Sequence, residues 1–347
     1  MLSNEGEMEY ILIILVVPFI ITLVLTSVVL LLFKKWRCSL TLTVVAIILN
    51  YFTESIPVNL SQKVVDNHDM ILDIMSYNIH SGGGYMTEHR DNPEELVQFI
   101  FAQNPDVLVL MEYDKNICET LRSRLLQRYP YSEYMRKVYG VCANAIFSKY
   151  EIKSFDEMRV DTTEGFGYRL LKLANIDPMR TIDPNRFVMS ATLDYKGQSM
   201  MLVGCHFSSN EYDSACEVVG DSLSWIDGIP LYAKNIKAGG LQREVEALGV
   251  REIVDSCLQN KVPVIVCGDL NDFSGSKTLR ILQKDGALCN VWWKRGLGTG
   301  FTYHGHHVMH FRLDHVLYSA ELRCKDVKVV SQEFSDHDPI IARLELR

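Results

Sequence analysis

The chain has 347 residues and a net charge of -8, with 48% hydrophobic residues. Setting aside an apolar amino-terminal region leaves close to 290 residues, enough for one large domain. No repeat of fixed period or low-complexity segment divides them, which excludes a solenoid or a disordered tail. The acidic balance does not change when Glu5, Glu7, Glu9, Lys34, Lys35 and Arg37 are left out, so it argues against non-specific nucleic-acid binding through bulk charge. The nine cysteines include no CxxC pair, and Cys205 and Cys267, which lie in apolar runs, read as small core hydrophobes.

Tyr10 to Phe33 is charge-free and long enough, as a helix, to span a bilayer core. Acidic residues precede it and the apolar run is too long for a signal peptide. After the basic turn Lys34, Lys35, Arg37, a second apolar stretch begins at Ser39. The expectation is a transmembrane hairpin in residues 1–60, with helices near 10–33 and 39–58, and one folded domain over 61–347. The basic turn belongs in the cytoplasm, which puts the domain on the periplasmic or outer face of the membrane. A single span would put it inside.

Further along, apolar β-rich runs occur at residues 71 to 79, 106 to 113, 144 to 150, 187 to 195, 199 to 207, 263 to 270 and 313 to 319. Helical spacing occurs at 93–103 and 242–259. Residues 210–240, with Trp225, Ile226, Ile229, Leu231 and Tyr232, read as a long connection able to form a lid, meet a membrane or simply pack. The fold class expected is α/β: two packed mixed sheets with helices outside.

Polar residues gather where these strands end. Asn78, Glu112, His206, Asp269 and Asn271 close strands, Asp314 opens one, and Asp336 and His337 precede the last apolar run. Rigid strands deliver distant side chains to one rim in this way. A rim rich in carboxylates, with two histidines, suits a hard cation, Mg²⁺ or Mn²⁺.

The segments SYNIHSG, LMEYD, HFSSN, GDLND, RLDHVLYS and SDHDPI, taken in order, resemble the endonuclease/exonuclease/phosphatase family over residues 70–347. The hairpin resembles a membrane-tethered bacterial branch. That resemblance implies a four-layer deoxyribonuclease I-like sandwich and a metal-dependent phosphoester hydrolase. Glu112, Asn78 and Asp336 are then the expected metal ligands. Asp314 and His337 form the expected His–Asp pair, acting as general base or as an imidazolium with Asp269 taking the proton. Asn271 orients phosphate or water, and His206 donates to the transition state. His304 and His307 fall where the family has a substrate-facing loop. Substrates range from nucleic acid to phospholipid and inositol phosphate. The rival from another class is an inactive binding module on the same fold.

Overall fold

The computed structural model describes residues 5–53, 56, 57, 59, 70–80, 93–113, 118–136, 143–159, 187–209, 225–304 and 310–347. Of these, the side chains of 5–18, 52, 53, 159, 187, 225–236 and 238 are not described. Two six-stranded sheets form the domain. The first contains β1 (Ile71–Asn78), β2 (Val107–Met111), β3 (Tyr131–Tyr134), β4 (Asn144–Ser148), β11 (Leu322–Val329) and β12 (Ile340–Leu346), in the order β11-β12-β1-β2-β4-β3. The second contains β5 (Ile152–Arg159), β6 (Phe187–Tyr195), β7 (Gln198–His206), β8 (Val264–Asp269), β9 (Cys289–Asn290) and β10 (Asp314–Tyr318), in the order β5-β6-β7-β8-β10-β9. Each sheet has one parallel pair at its centre, β1 with β2 and β7 with β8, and is otherwise antiparallel.

The central strands are apolar on both faces because both faces are covered. Ile74, Val107, Val109 and Ile146 of the first sheet meet Met189, Leu202, Ile265 and Val316 of the second in one buried layer. The outer face of the first sheet, including Tyr77, Leu108 and Leu110, is covered by α3 (Glu94–Gln103) and α4 (Glu119–Leu125). The outer face of the second, including Val203, Val264 and Val266, is covered by α5 (Trp225–Gln259) and α6 (Lys277–Gln283). Burying each such aliphatic side chain contributes about 1.5–3 kcal/mol, so three contiguous apolar layers hold the four-layer sandwich together.

At the amino terminus, α1 (Glu5–Leu32) and α2 (Trp36–Thr53) form a helical hairpin, joined by a turn at Phe33–Lys35. Ser27 bonds to Ser39 and to Thr43 across the pair. Along the outside of the hairpin Leu25, Leu32, Phe33, Leu40 and Ile47 are exposed. Among the described residues no helix is long and apolar enough to cross a membrane. The second helix ends earlier than the 58 expected. Asn50 then closes the chain on itself through both atoms of Ile56, and Asn59 donates to the carbonyls of Trp293 and Gly296 on the domain.

The segment expected to be a connection before Gln242 is different in its second half. From Trp225 the backbone is already helical and continuous with the rest of α5. Gly228, Pro230, Gly239 and Gly240 disfavour helix there, and packing of α5 on the sheet and on α1 overrides that local preference. Residues 210–224 lie outside the described set, as do the three consecutive glycines at 82–84. Trp292 is core, its Nε1 donating to the carbonyl of Gly298.

Candidate active site

Register brings the rim together. The parallel pairing of β7 with β8 sets His206 beside Asp269, and the antiparallel pairing of β10 with β8 sets Asp314 opposite Asp269. Gly268 makes the approach possible: a Cβ there would lie 1.8 Å from the carbonyl oxygen of Cys205, at φ +144°. On the other sheet, Asn78 ends β1 and Glu112 follows β2. The turn before β12 is fastened to β1, because Ser335 Oγ donates to the carbonyl of Asn78 (2.8 Å) and accepts from the backbone N–H of His337 (3.1 Å).

Three residues just past strand ends adopt left-handed backbone: His80 (φ 43°), Glu112 (φ 55°) and Asn271 (φ 49°). Asparagine tolerates this conformation, whereas glutamate and histidine are strained by roughly 1 kcal/mol each. Strain of this kind is retained where it aims a side chain, and here it turns Glu112 toward the rim.

Asp269 is the hub. Its Oδ1 accepts the backbone N–H of Asn271 (2.9 Å). Its Oδ2 faces the amide nitrogen of Asn78 at 3.1 Å, His337 Nε2 at 3.6 Å and His206 Nε2 at 3.8 Å. His337 Nδ1 donates to Asp314 Oδ2 at 2.7 Å, and the backbone N–H of Asp314 is held by Thr302 Oγ1. Burial alone would drive His337 toward its neutral form. The charges of Asp314, Asp269 and Asp336, with the Asp314 bond, outweigh it and lift its pKa to about 10. The ligand atoms of Asp269, Asp314 and His337 lie within 4.8 Å of one another, a spacing that would also suit a metal ion.

The two acids nearest the first sheet differ. Burial raises the pKa of Glu112, only partly opposed by the Asn78 bond at 3.1 Å. At Asp336 burial is outweighed by the His80 bond (2.9 Å) and by the charges of His337 and His80, so its pKa falls. Glu112 is therefore a desolvated carboxylate short of positive charge, at the mouth of an oxygen-rich site. This donor set fits a hard divalent cation held by Glu112 and Asp336. Asn78, the third expected ligand, stands between them: its amide nitrogen faces Glu112 and Asp269, and its oxygen accepts the backbone N–H of His80. In this arrangement it spaces two carboxylates.

Of the residues expected at the site, Asn78, Glu112, His206, Asp269, Asn271, Asp314, Asp336 and His337 share the rim. Asn271 turns its amide nitrogen to the carbonyl of Phe207 (2.9 Å), tying the two loops together. His304 lies beside them but is engaged elsewhere, with Asp338 and His310. His307 lies outside the described residues.

Sequence reasoning missed His80 and the buried polar cluster beneath the rim. There Ser208 Oγ donates to Glu246 (2.7 Å), whose other carboxylate oxygen accepts the Ser208 backbone N–H. Arg243 donates to the carbonyl of Ser208 (2.9 Å) and lies 3.4 Å from Asp272. Arg243 and Glu246 are three residues apart, on one face of α5, a pattern that looks like any charged helix face until the fold buries it.

The family profile described as "Endonuclease/Exonuclease/phosphatase family" matches residues 75–337. The chain belongs to this family. Its fold is similar to that of the human Nocturnin catalytic domain solved with a bound sulfate anion, at 17% identity, covering 82% of this chain and 96% of that one, TM-score 0.55. A mannosyl-6-phosphatase of Bacteroides thetaiotaomicron is similar at 17% identity, covering 79% and 99%, TM-score 0.54. TDP2 from C. elegans is similar at 18% identity, covering 80% and 77%, TM-score 0.55. At such identities the likeness establishes the fold. A search of curated proteins finds no match.

Proposed function

We propose that this family member is a divalent-metal-dependent phosphoester hydrolase held at a membrane by its amino-terminal hairpin. The observation that carries the enzymatic reading is the placement of Asp269 Oδ2 within 3.8 Å of the Nε2 atoms of both His206 and His337, with Glu112 on the same rim. An inactive binding module has no use for a complete set of this kind.

Glu112 and Asp336 would hold Mg²⁺ or Mn²⁺, which when bound neutralises phosphoryl oxygens toward an incoming nucleophile. His337, with Nδ1–H committed to Asp314, presents Nε2–H to a phosphoryl oxygen, and the carboxylates around it favour this charged, donating form. Asp269, fixed through Oδ1 by the Asn271 N–H, keeps Oδ2 available to take a proton from the attacking water. His206 donates from the other side to the charge developing on phosphorus oxygens.

The membrane reading rests on the charge-free run from Tyr10 to Phe33 and on the exposed apolar side chains of the hairpin. Apolar surface of this extent on a helical pair calls for a nonaqueous partner, and a bilayer is the one that suits a basic turn. The test of function is a panel of DNA, RNA, sphingomyelin, phosphatidylinositol and inositol phosphates, assayed with Mg²⁺, Mn²⁺ or chelator. Cleavage of at least one, lost in chelator, is expected. Metal-supported inactivity across the panel and on simple aryl phosphate esters would support the binding-module alternative.

A further inference from the structure

Beside the rim, outside the carboxylate set, two imidazoles converge. His304 Nδ1 and His310 Nδ1 are 2.6 Å apart, with ring centroids 4.8 Å apart. Each ring is oriented by its own neighbour. His304 Nε2 lies 2.8 Å from Asp338 Oδ2, and a carboxylate only accepts, so Nε2 carries the proton and the Nδ1 lone pair points at His310. Phe301 stacks on the His310 ring with planes 27° apart. The backbone holds the pair as well, through the His304 N–H to the carbonyl of Asp336 (2.8 Å) and the Asp338 N–H to the carbonyl of Thr302 (2.6 Å).

A histidine whose far nitrogen is anchored on a carboxylate while its near nitrogen faces a second imidazole has the arrangement that metal-binding histidines adopt. We propose that His304 and His310 form a second metal site, for an imidazole-preferring ion such as Zn²⁺ or Ni²⁺, distinct from the carboxylate site for Mg²⁺. The ion takes the place of the one proton held between the two nitrogens, which moves to His310 Nε2, and completes its shell with water. Two nitrogens on a tetrahedral Zn²⁺ at about 2.0–2.1 Å are roughly 3.3 Å apart, so the rings must part by about 0.7 Å. His310 is exposed and His304 is 37% exposed, so both can move that far. Nitrogen donors favour these ions over Mg²⁺ by ligand type, which lets the two sites fill independently.

The full chain in detergent, stripped with chelator and returned to millimolar Mg²⁺, is titrated with Zn²⁺ against a fluorescent zinc chelator, and bound metal is counted by mass spectrometry. The wild type is expected to hold one more equivalent of Zn²⁺ than His310→Ala, whose affinity at that site falls at least about tenfold. His310→Cys, supplying a thiolate, should restore it. Asp338→Asn, which removes the anchoring charge beside His304, should weaken binding by on the order of 10- to 100-fold. Equal stoichiometry and affinity in wild type and His310→Ala would overturn the proposal, because any zinc seen would then sit at the carboxylate rim. Zinc binding unaffected by Asp338→Asn in a variant that melts normally would overturn it too.

Discussion

Glu112 combines two costs, a left-handed backbone and a buried carboxylate with a raised pKa. Glycine accepts the same backbone without strain, so Glu112→Gly should gain about 1 kcal/mol of stability in metal-free protein while losing metal-supported activity. Thermal melting together with a metal titration checks this, and a less stable variant would remove the strain argument. His337 behaves oppositely with pH. Its folded pKa, about 10, exceeds the unfolded value of about 6.5. The stabilisation is therefore complete below about pH 6.5 and is lost as pH rises toward 10. In metal-free protein the urea-midpoint difference between wild type and His337→Gln should be largest near pH 6 and shrink toward pH 10. A constant or growing difference would contradict the charged His337. Most of these rim residues were legible as sequence because each stands where an apolar run stops. His80, Ser335 and Thr302 were not, since their parts depend on contacts between segments more than 10 residues and as many as 257 apart.

Strands delivered the site, and how they were legible follows from their place in the sheets. The seven apolar runs read from the sequence became β1, β2, β4, β6, β7, β8 and β10, and the final run became β12. The four strands not anticipated, β3, β5, β9 and β11, are the four sheet edges. Edge strands keep one side in solvent and so carry weaker apolar signals, as in the IKSFDEMR of β5. The central pairing of β7 and β8 is where a small change should matter most. Gly268→Ala sets a Cβ against the Cys205 carbonyl at a φ that alanine avoids, so it should destabilise the fold by about 2–4 kcal/mol. It should also displace Asp269 enough to lower turnover even where the protein stays folded. Urea unfolding and kinetics on the same sample check both, and a variant equal to wild type in both would show that the sheet yields there easily.

For the whole molecule, the proposed membrane anchor would set where the chemistry happens. Lys34, Lys35 and Arg37 resist translocation, so with two spans the domain faces outward. The full chain should stay with membranes through an alkaline carbonate wash, and protease added to intact cells should digest the domain. Release by the wash would contradict the anchor, and protection until lysis would indicate one span with the domain inside. At the rim the deciding measurement is hydrolysis of an aryl phosphate diester and monoester by the full chain, with Mg²⁺ or Mn²⁺ and with chelator, beside Asp269→Asn. Because that variant keeps the shape of Asp269 and removes its charge, turnover should require metal in the wild type and fall by at least about a hundredfold in the variant. Undiminished turnover in excess chelator, or wild-type rates from Asp269→Asn, would contradict a metal-assisted phosphoesterase built around Asp269.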